Sequence, residues 1–143
     1  MSDFNNILQS EMSPKEKVNY MPKVLVVDDE PNIRTLVEAV LMQEKYVVIT
    51  ADNGKDCLIL AEKEKPDLIL LDVMMAKMDG WEVCERLKKN SKTKKIPVVM
   101  LTAKEKILFY SVAAKVGADD YISKPFSNRD LVIAVKKYAL ASA

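Results

Sequence analysis

Apolar positions along this chain fall in short continuous blocks, each followed by a stretch with helical spacing. Lys23-Val24-Leu25-Val26-Val27 is rich in β-branched residues and leads into Asp28-Asp29, which predicts a strand ending in two acids. Pro31 then opens a helix with Ile33, Leu36, Val37, Val40 and Leu41 at i, i+3, i+4, i+7 and i+8, all expected to face inward. Tyr46 to Thr50 predicts a second strand, and Asn53-Gly54 leads into a helix to about Lys63 that presents Cys57, Leu60 and Ala61. Leu68-Ile69-Leu70-Leu71, bounded by Pro66 and a loop containing Gly80, has the form of a strand buried on both faces, and it ends on Asp72. Gly80 to Lys89 predicts the third helix, with Val83, Cys84 and Leu87 inward. Pro97 to Ala103 predicts the fourth strand, and a helix from about Glu105 to Val116 is stopped by Gly117. Tyr121-Ile122-Ser123 is a short fifth strand running into Lys124-Pro125-Phe126. Ser127 begins the last helix, Asp130 gives it a capping-box-like start, and Leu131, Ala134, Val135 and Tyr138 form its inner stripe.

Alternation of five strands with five helices through short connections implies a parallel sheet covered on both faces, with right-handed crossovers. One α/β domain over residues 22–141 accounts for nearly all of the pattern. Residues 1–21 lack sustained periodicity and read as a mobile N-terminal extension, with a short helix from about Phe4 to Glu11 as the alternative.

Composition changes this picture mainly by exclusion. A formal net charge of +1 gives no global argument for nucleic acid or an anionic membrane. No apolar run approaches membrane-spanning length, and Met1 to Asn6 has neither a basic nor an apolar leader region. Cys57 and Cys84 sit in helical patterns beside apolar neighbours, where buried thiols suit a reducing cytoplasm. The basic segment Lys88 to Lys95 reads as a solvated loop, with contact to a phosphate backbone as the alternative. The chain has no histidine, so it supplies no histidine base, phosphohistidine or imidazole metal ligand. Any catalysis must rest on carboxylates, lysine and hydroxyls, with or without a hard metal.

The strand ends carry such groups: Asp28 and Asp29 from the first, Asp72 from the third, Thr102 from the fourth and Lys124 after the fifth. Singly each has a plain explanation, and Asp28-Asp29 could cap the helix that starts near Pro31. Together they share the carboxyl edge of the sheet, where ligands bind in open α/β folds. Neighbouring carboxylates repel by roughly 4 kcal/mol per pair at about 4 Å and an effective dielectric near 20. Such a cluster takes up protons or binds a cation, and Mg²⁺ suits oxygen ligands with a phosphate completing the shell. A lysine and a hydroxyl aimed at the same place suit the anion that arrives with it. The set describes a site that binds or receives a phosphoryl group.

Val26-Val27-Asp28-Asp29-Glu30, Leu70-Leu71-Asp72-Val73-Met74-Met75, Leu101-Thr102-Ala103-Lys104 and Tyr121-Ile122-Ser123-Lys124-Pro125-Phe126 resemble the motifs of bacterial two-component response regulator receiver domains. The resemblance runs from about Pro22 to Ala141 and implies the doubly wound, flavodoxin-like sheet of order 2-1-3-4-5. It implies that Asp72 accepts a phosphoryl group from a histidine kinase, a histidine phosphotransfer protein or a small phosphodonor. Asp29, Asp28 (mainly through water), Asp72 and the Met74 carbonyl would serve Mg²⁺. Lys124, before a cis Pro125, would pair with a phosphoryl oxygen, and the Ala103 N–H would be a further phosphoryl contact. Thr102 would donate its hydroxyl to the phosphoryl group, and Tyr121 would swing inward behind it. One departure is Ala76, where the family commonly has proline. Met74 and Lys104 occupy positions where the family tunes dephosphorylation.

Three readings of the output follow. The chain ends at Ala143 without a DNA-binding motif, which suggests a single-domain receiver that signals through its fourth helix, fifth strand and fifth helix, with Lys106, Tyr110, Tyr121 and Lys137 on that face. Near-complete switching of such a receiver needs about 5.5 kcal/mol of differential stabilisation. Alternatively the chain is the receiver part of a longer DNA-binding regulator or hybrid kinase. An aspartyl phosphatase of the haloacid dehalogenase type is disfavoured, because Met74 stands where such enzymes place a second Asp.

Overall fold

The structure, a computed structural model, describes residues 21–103 and 106–142, with side chains described outside 106–110 and 140–142. The expectations for residues 1–20, the role suggested for Lys104 and the helix start at Glu105 lie outside the described residues. In chain order the elements are β1 (Lys23–Val27), α1 (Pro31–Gln43), β2 (Val47–Ala51), α2 (Gly54–Glu64), β3 (Leu68–Asp72), α3 (Gly80–Lys89), β4 (Val98–Thr102), α4 (Lys106–Val116), β5 (Asp120–Ser123) and α5 (Asn128–Ser142). The five strands form one parallel sheet in the order β2-β1-β3-β4-β5, as the doubly wound expectation requires.

Successive strand residues point to opposite faces, and both faces are covered, which is why the central strands are continuously apolar. Leu25, Val27, Ile69, Leu71, Val98 and Met100 pack on one side with Cys57, Ala61, Val83, Cys84 and Leu87 of α2 and α3. Val24, Val26, Leu68, Leu70, Val99 and Leu101 pack on the other with Val37 and Leu41 of α1 and Leu131, Val135 and Ala139 of α5. Both cysteines are buried and unpaired, and burial pushes each thiol up to about 12.

Several expectations need correction. Leu36 is 42% exposed, because the buried stripe of α1 is the narrow Val37–Leu41 line and Leu36 lies about 100° round the helix from it. The second strand starts at Val47, with Tyr46 buried just before it. The fifth starts at Asp120, one residue earlier than expected. The helix cap suggested for Asp28-Asp29 is not formed: Glu30 is the N-cap of α1 and makes no side-chain capping bond. The last helix does carry its box, with the Asp130 N–H donating to Ser127 Oγ at 3.0 Å and the Ser127 N–H to Asp130 Oδ2 at 3.4 Å. In the basic segment, Lys88 Nζ reaches Asp119 Oδ2 at 2.9 Å and the Ile96 carbonyl at 2.8 Å, while Lys92 pairs with Glu62. Lys88 is therefore spent inside the fold, whereas Lys92 pairs at the exposed surface, as a solvated loop requires.

Candidate functional site

In a parallel sheet all strands end on the same edge, so the topology alone collects the end residues. β1 and β3 are neighbours with Val27 opposite Leu71, which sets Asp28 beside Asp72 at the next step. β4 follows, with Leu101 opposite Asp72, and β5 after it, with Ser123 opposite Thr102. Lys124 is the next residue, and the Lys124–Pro125 bond is cis.

The structure brings Asp28, Asp29, Asp72 and Lys124 together. One oxygen from each of the three carboxylates lies within 4.8 Å of the others. Asp28 and Asp72 are buried at 0% and 3% exposure, so their charges are poorly solvated, while Asp29 is exposed at the mouth. Lys124 Nζ spans the buried pair, 2.8 Å from Asp28 Oδ2 and 3.2 Å from Asp72 Oδ1. Asp28 Oδ1 also accepts the Glu30 N–H at 2.9 Å, and Asp72 Oδ1 the Met74 N–H at 3.3 Å.

Burial first, and the neighbouring Asp28 charge second, raise the Asp72 pKa from 3.8 to about 6, with Lys124 and the Met74 N–H pulling the other way. Burial opposes the Lys124 ammonium, but the bond to Asp28 and the Asp72 charge outweigh it and the lysine pKa rises. Three oxygen donors in a small, partly exposed cluster fit a hard cation.

Thr102 is buried at the end of β4, one strand over from Asp72. Tyr121 lies opposite Met100, half-buried against the α2–α3 side of the core. Met74 is 63% exposed, and Ala103 is exposed as well. Ala76 lies in an exposed loop and borders a cleft of about 490 Å³ with Asp29, Asn53, Lys77 and Met78. The side chains of Lys106 and Tyr110 are outside the described residues. Lys137 lies 3.9 Å from Asp120 Oδ2 and 5.2 Å from the Tyr138 ring centre.

One positioning residue escaped the sequence reading. The Gly80 N–H donates to the Val73 carbonyl at 2.8 Å, and a Cβ at Gly80 would stand 2.1 Å from the Asp72 carbonyl oxygen. The first turn of α3 therefore rests directly on the peptide that carries Asp72. Asp79 fixes that turn as its N-cap, accepting the Glu82 N–H at 2.9 Å. In the sequence, Asp79-Gly80 marked only a helix boundary, since a close backbone approach has no signature in side-chain pattern.

The sequence pattern of the response regulator receiver domain matches residues 24–136. The chain is 48% identical over 114 residues to the alkaline phosphatase synthesis transcriptional regulatory protein PhoP of Bacillus subtilis, which covers 80% of this chain and 47% of that protein. Among solved structures, the chemotaxis response regulator CheY4 of Vibrio cholerae superposes with a TM-score of 0.79 at 34% identity, over 83% of this chain and 99% of that one. The receiver domain of the sensor histidine kinase PA1611 from Pseudomonas aeruginosa, solved with a magnesium ion coordinated in its active site cleft, gives 0.76 at 25% identity, over 84% and 98%.

Fold and sequence thus define a signalling domain of the receiver class. This chain belongs to the response regulator receiver domain family, and its function lies in two-component phosphorelay signalling. It spans about half the length of the curated relatives it matches. Among the described residues no helix is long and apolar enough to cross a membrane.

Proposed function

We propose that Asp72 is the phospho-acceptor, taking a phosphoryl group from a histidine kinase, a histidine phosphotransfer protein or a small acyl phosphate. The observation that carries this reading is the buried Asp28–Lys124–Asp72 contact, in which two buried carboxylates share one fixed cation. A carboxylate oxygen of Asp72 attacks phosphorus, the bond from phosphorus to the donor's nitrogen or acyl oxygen breaks, and the donor leaves with that electron pair. The product on Asp72 is an acyl phosphate. In such transfers the protein mainly positions groups and stabilises charge.

Asp28, Asp29, Asp72 and the Met74 carbonyl form the donor set for Mg²⁺, which would neutralise charge on the transferring oxygens. The magnesium ion in the PA1611 receiver supports the choice of metal. Lys124 passes from its two carboxylates to a phosphoryl oxygen as the group arrives. The Thr102 hydroxyl and the Ala103 N–H donate to the phosphoryl group, and Tyr121 follows Thr102 inward. The chain serves as a signalling domain rather than a turnover enzyme, since Met74 stands where an aspartyl phosphatase needs a second acid.

The receiver unit spans residues 22–141, with 1–21 outside it, and the buried free thiols suit the cytoplasm. Its output is a protein contact through α4, β5 and α5, including Lys106, Tyr110, Tyr121 and Lys137. The match to about half of PhoP, a transcriptional regulatory protein, favours a second reading in which this receiver controls an attached DNA-binding domain. Incubation with Mg²⁺ and acetyl phosphate, followed by intact mass, tests the acceptor. One added phosphoryl group is expected on the native chain and none on Asp72→Asn. Equal labelling of both would sink the assignment.

A further inference from the structure

Asp28 is the fully buried member of the carboxylate cluster, and its main chain is held as firmly as its side chain. Its N–H donates to the Ala51 carbonyl at 3.2 Å, which belongs to the strand pairing. Its own carbonyl accepts a bond of 2.7 Å from Arg34 Nη1, six residues along the chain. Arg34 sits at the end of the first turn of α1, half-buried, and its N–H is bonded to the Glu30 carbonyl. α1 has no side-chain cap, because Glu30 at the N-cap makes no such bond. The turn from β1 into α1 is fastened from the strand side by the Asp28 carboxylate, which accepts the Glu30 N–H, and from the helix side by a guanidinium reaching back.

The Asp28–Asp29 peptide lies between the two Cα atoms that carry the site's paired carboxylates. Rotation of that peptide turns both side chains relative to Asp72. We propose that Arg34 is a positioning residue of the cation site: its bond to the Asp28 carbonyl fixes this peptide and aims Asp28 and Asp29 at Asp72. The proposal rests on the reading above that the cluster binds Mg²⁺.

Charge alone predicts the opposite effect. A guanidinium near three carboxylates competes with a metal ion, so its removal would tighten binding if only electrostatics mattered. Asp52 and Asp56 border the same shallow cavity as Arg34 and would add to that tightening once their neighbour's charge is gone. Positioning predicts weaker binding. The sign of the change separates the two.

The experiment is calorimetric titration of Mg²⁺ into the full chain, with Arg34→Met and Arg34→Lys beside the native protein near physiological salt. Arg34→Met is expected to raise the Kd about tenfold, the scale seen when a partner of a metal ligand is lost. Arg34→Lys keeps a donor at reduced reach and falls between the two. In the metal-free protein the Glu30 amide exchanges faster in Arg34→Met, while the melting temperature stays within a few degrees of native. Arg34→Gln carries the same expectation should the methionine variant not fold. Equal or tighter Mg²⁺ binding by the neutral variants overturns the proposal. Native protein that binds no Mg²⁺ overturns the metal reading instead.

Discussion

A carboxylate that is buried beside another carboxylate holds its proton more tightly, and Asp72 is raised from 3.8 to about 6 on that account. A folded-state pKa above the unfolded value means that the group's contribution to stability is fully present below pH 3.8 and is lost as pH rises through about 6. At neutral pH the ionised side chain therefore opposes folding of the metal-free protein, by up to about 3 kcal/mol for a shift of this size. Asp72→Asn lacks that penalty. In urea unfolding with a chelator, the variant is expected to gain stability over native protein as pH rises from 4 to 7, and Mg²⁺ should narrow the gap. A gap independent of pH would show that Asp72 is not so perturbed. Asp28, Asp29, Asp72 and Lys124, which the structure brings together, were legible through their common place at the strand ends, since singly each has a plain explanation. Arg34 and Gly80 were not. Both act on main-chain carbonyls, Arg34 through a hydrogen bond and Gly80 through the absence of a side chain.

Each helix places its part of the site by a different local device. α3 is seated by Gly80 against the Asp72 peptide, whereas α5 is started by the reciprocal Ser127–Asp130 bonds after Lys124. A methyl group at Gly80 must displace backbone, and overpacking of this kind costs about 1–3 kcal/mol. Ser127→Ala removes one cap bond, worth about 1 kcal/mol. Denaturant unfolding should register both changes. Acetyl phosphate labelling should fall for Gly80→Ala alone, because only that substitution moves the acceptor; equal labelling of the two variants would disconnect α3 seating from the site. The helical stripes of α2, α3 and α5 were readable from spacing. The α1 stripe was read too wide at Leu36, since period alone cannot say how far a neighbouring element extends around a helix. The boundaries of β2 and β5 shifted by one residue, because apolar flanks such as Tyr46 carry no mark of where pairing begins.

For the whole molecule, alternating blocks were enough to predict a parallel sheet covered by helices on both faces. The strand order was a matter of resemblance, since block patterns do not say which strands are neighbours. Nor did the pattern reveal how the far edge is closed. There Lys88 of α3 bonds the Ile96 carbonyl and Asp119 Oδ2, and the same Asp119 oxygen accepts the Val98 N–H at 2.8 Å. Lys88→Met should destabilise the fold by about 1–3 kcal/mol, as expected when charged hydrogen bonds are lost. It should leave Mg²⁺ affinity unchanged, because the clamp stands at the sheet edge opposite the carboxylates. Calorimetry and urea unfolding on the same variant check both halves; a shift in affinity would mean that the two edges communicate.

The position of Lys124 has a further consequence. Domains that depend on a structural metal gather like charges that only the ion can quiet, and they fold when it is supplied. Here the chain brings its own ammonium to the two buried acids. On the magnesium reading proposed above, the fold would stand while the metal is scarce, and the metal would be a condition for reacting rather than for existing.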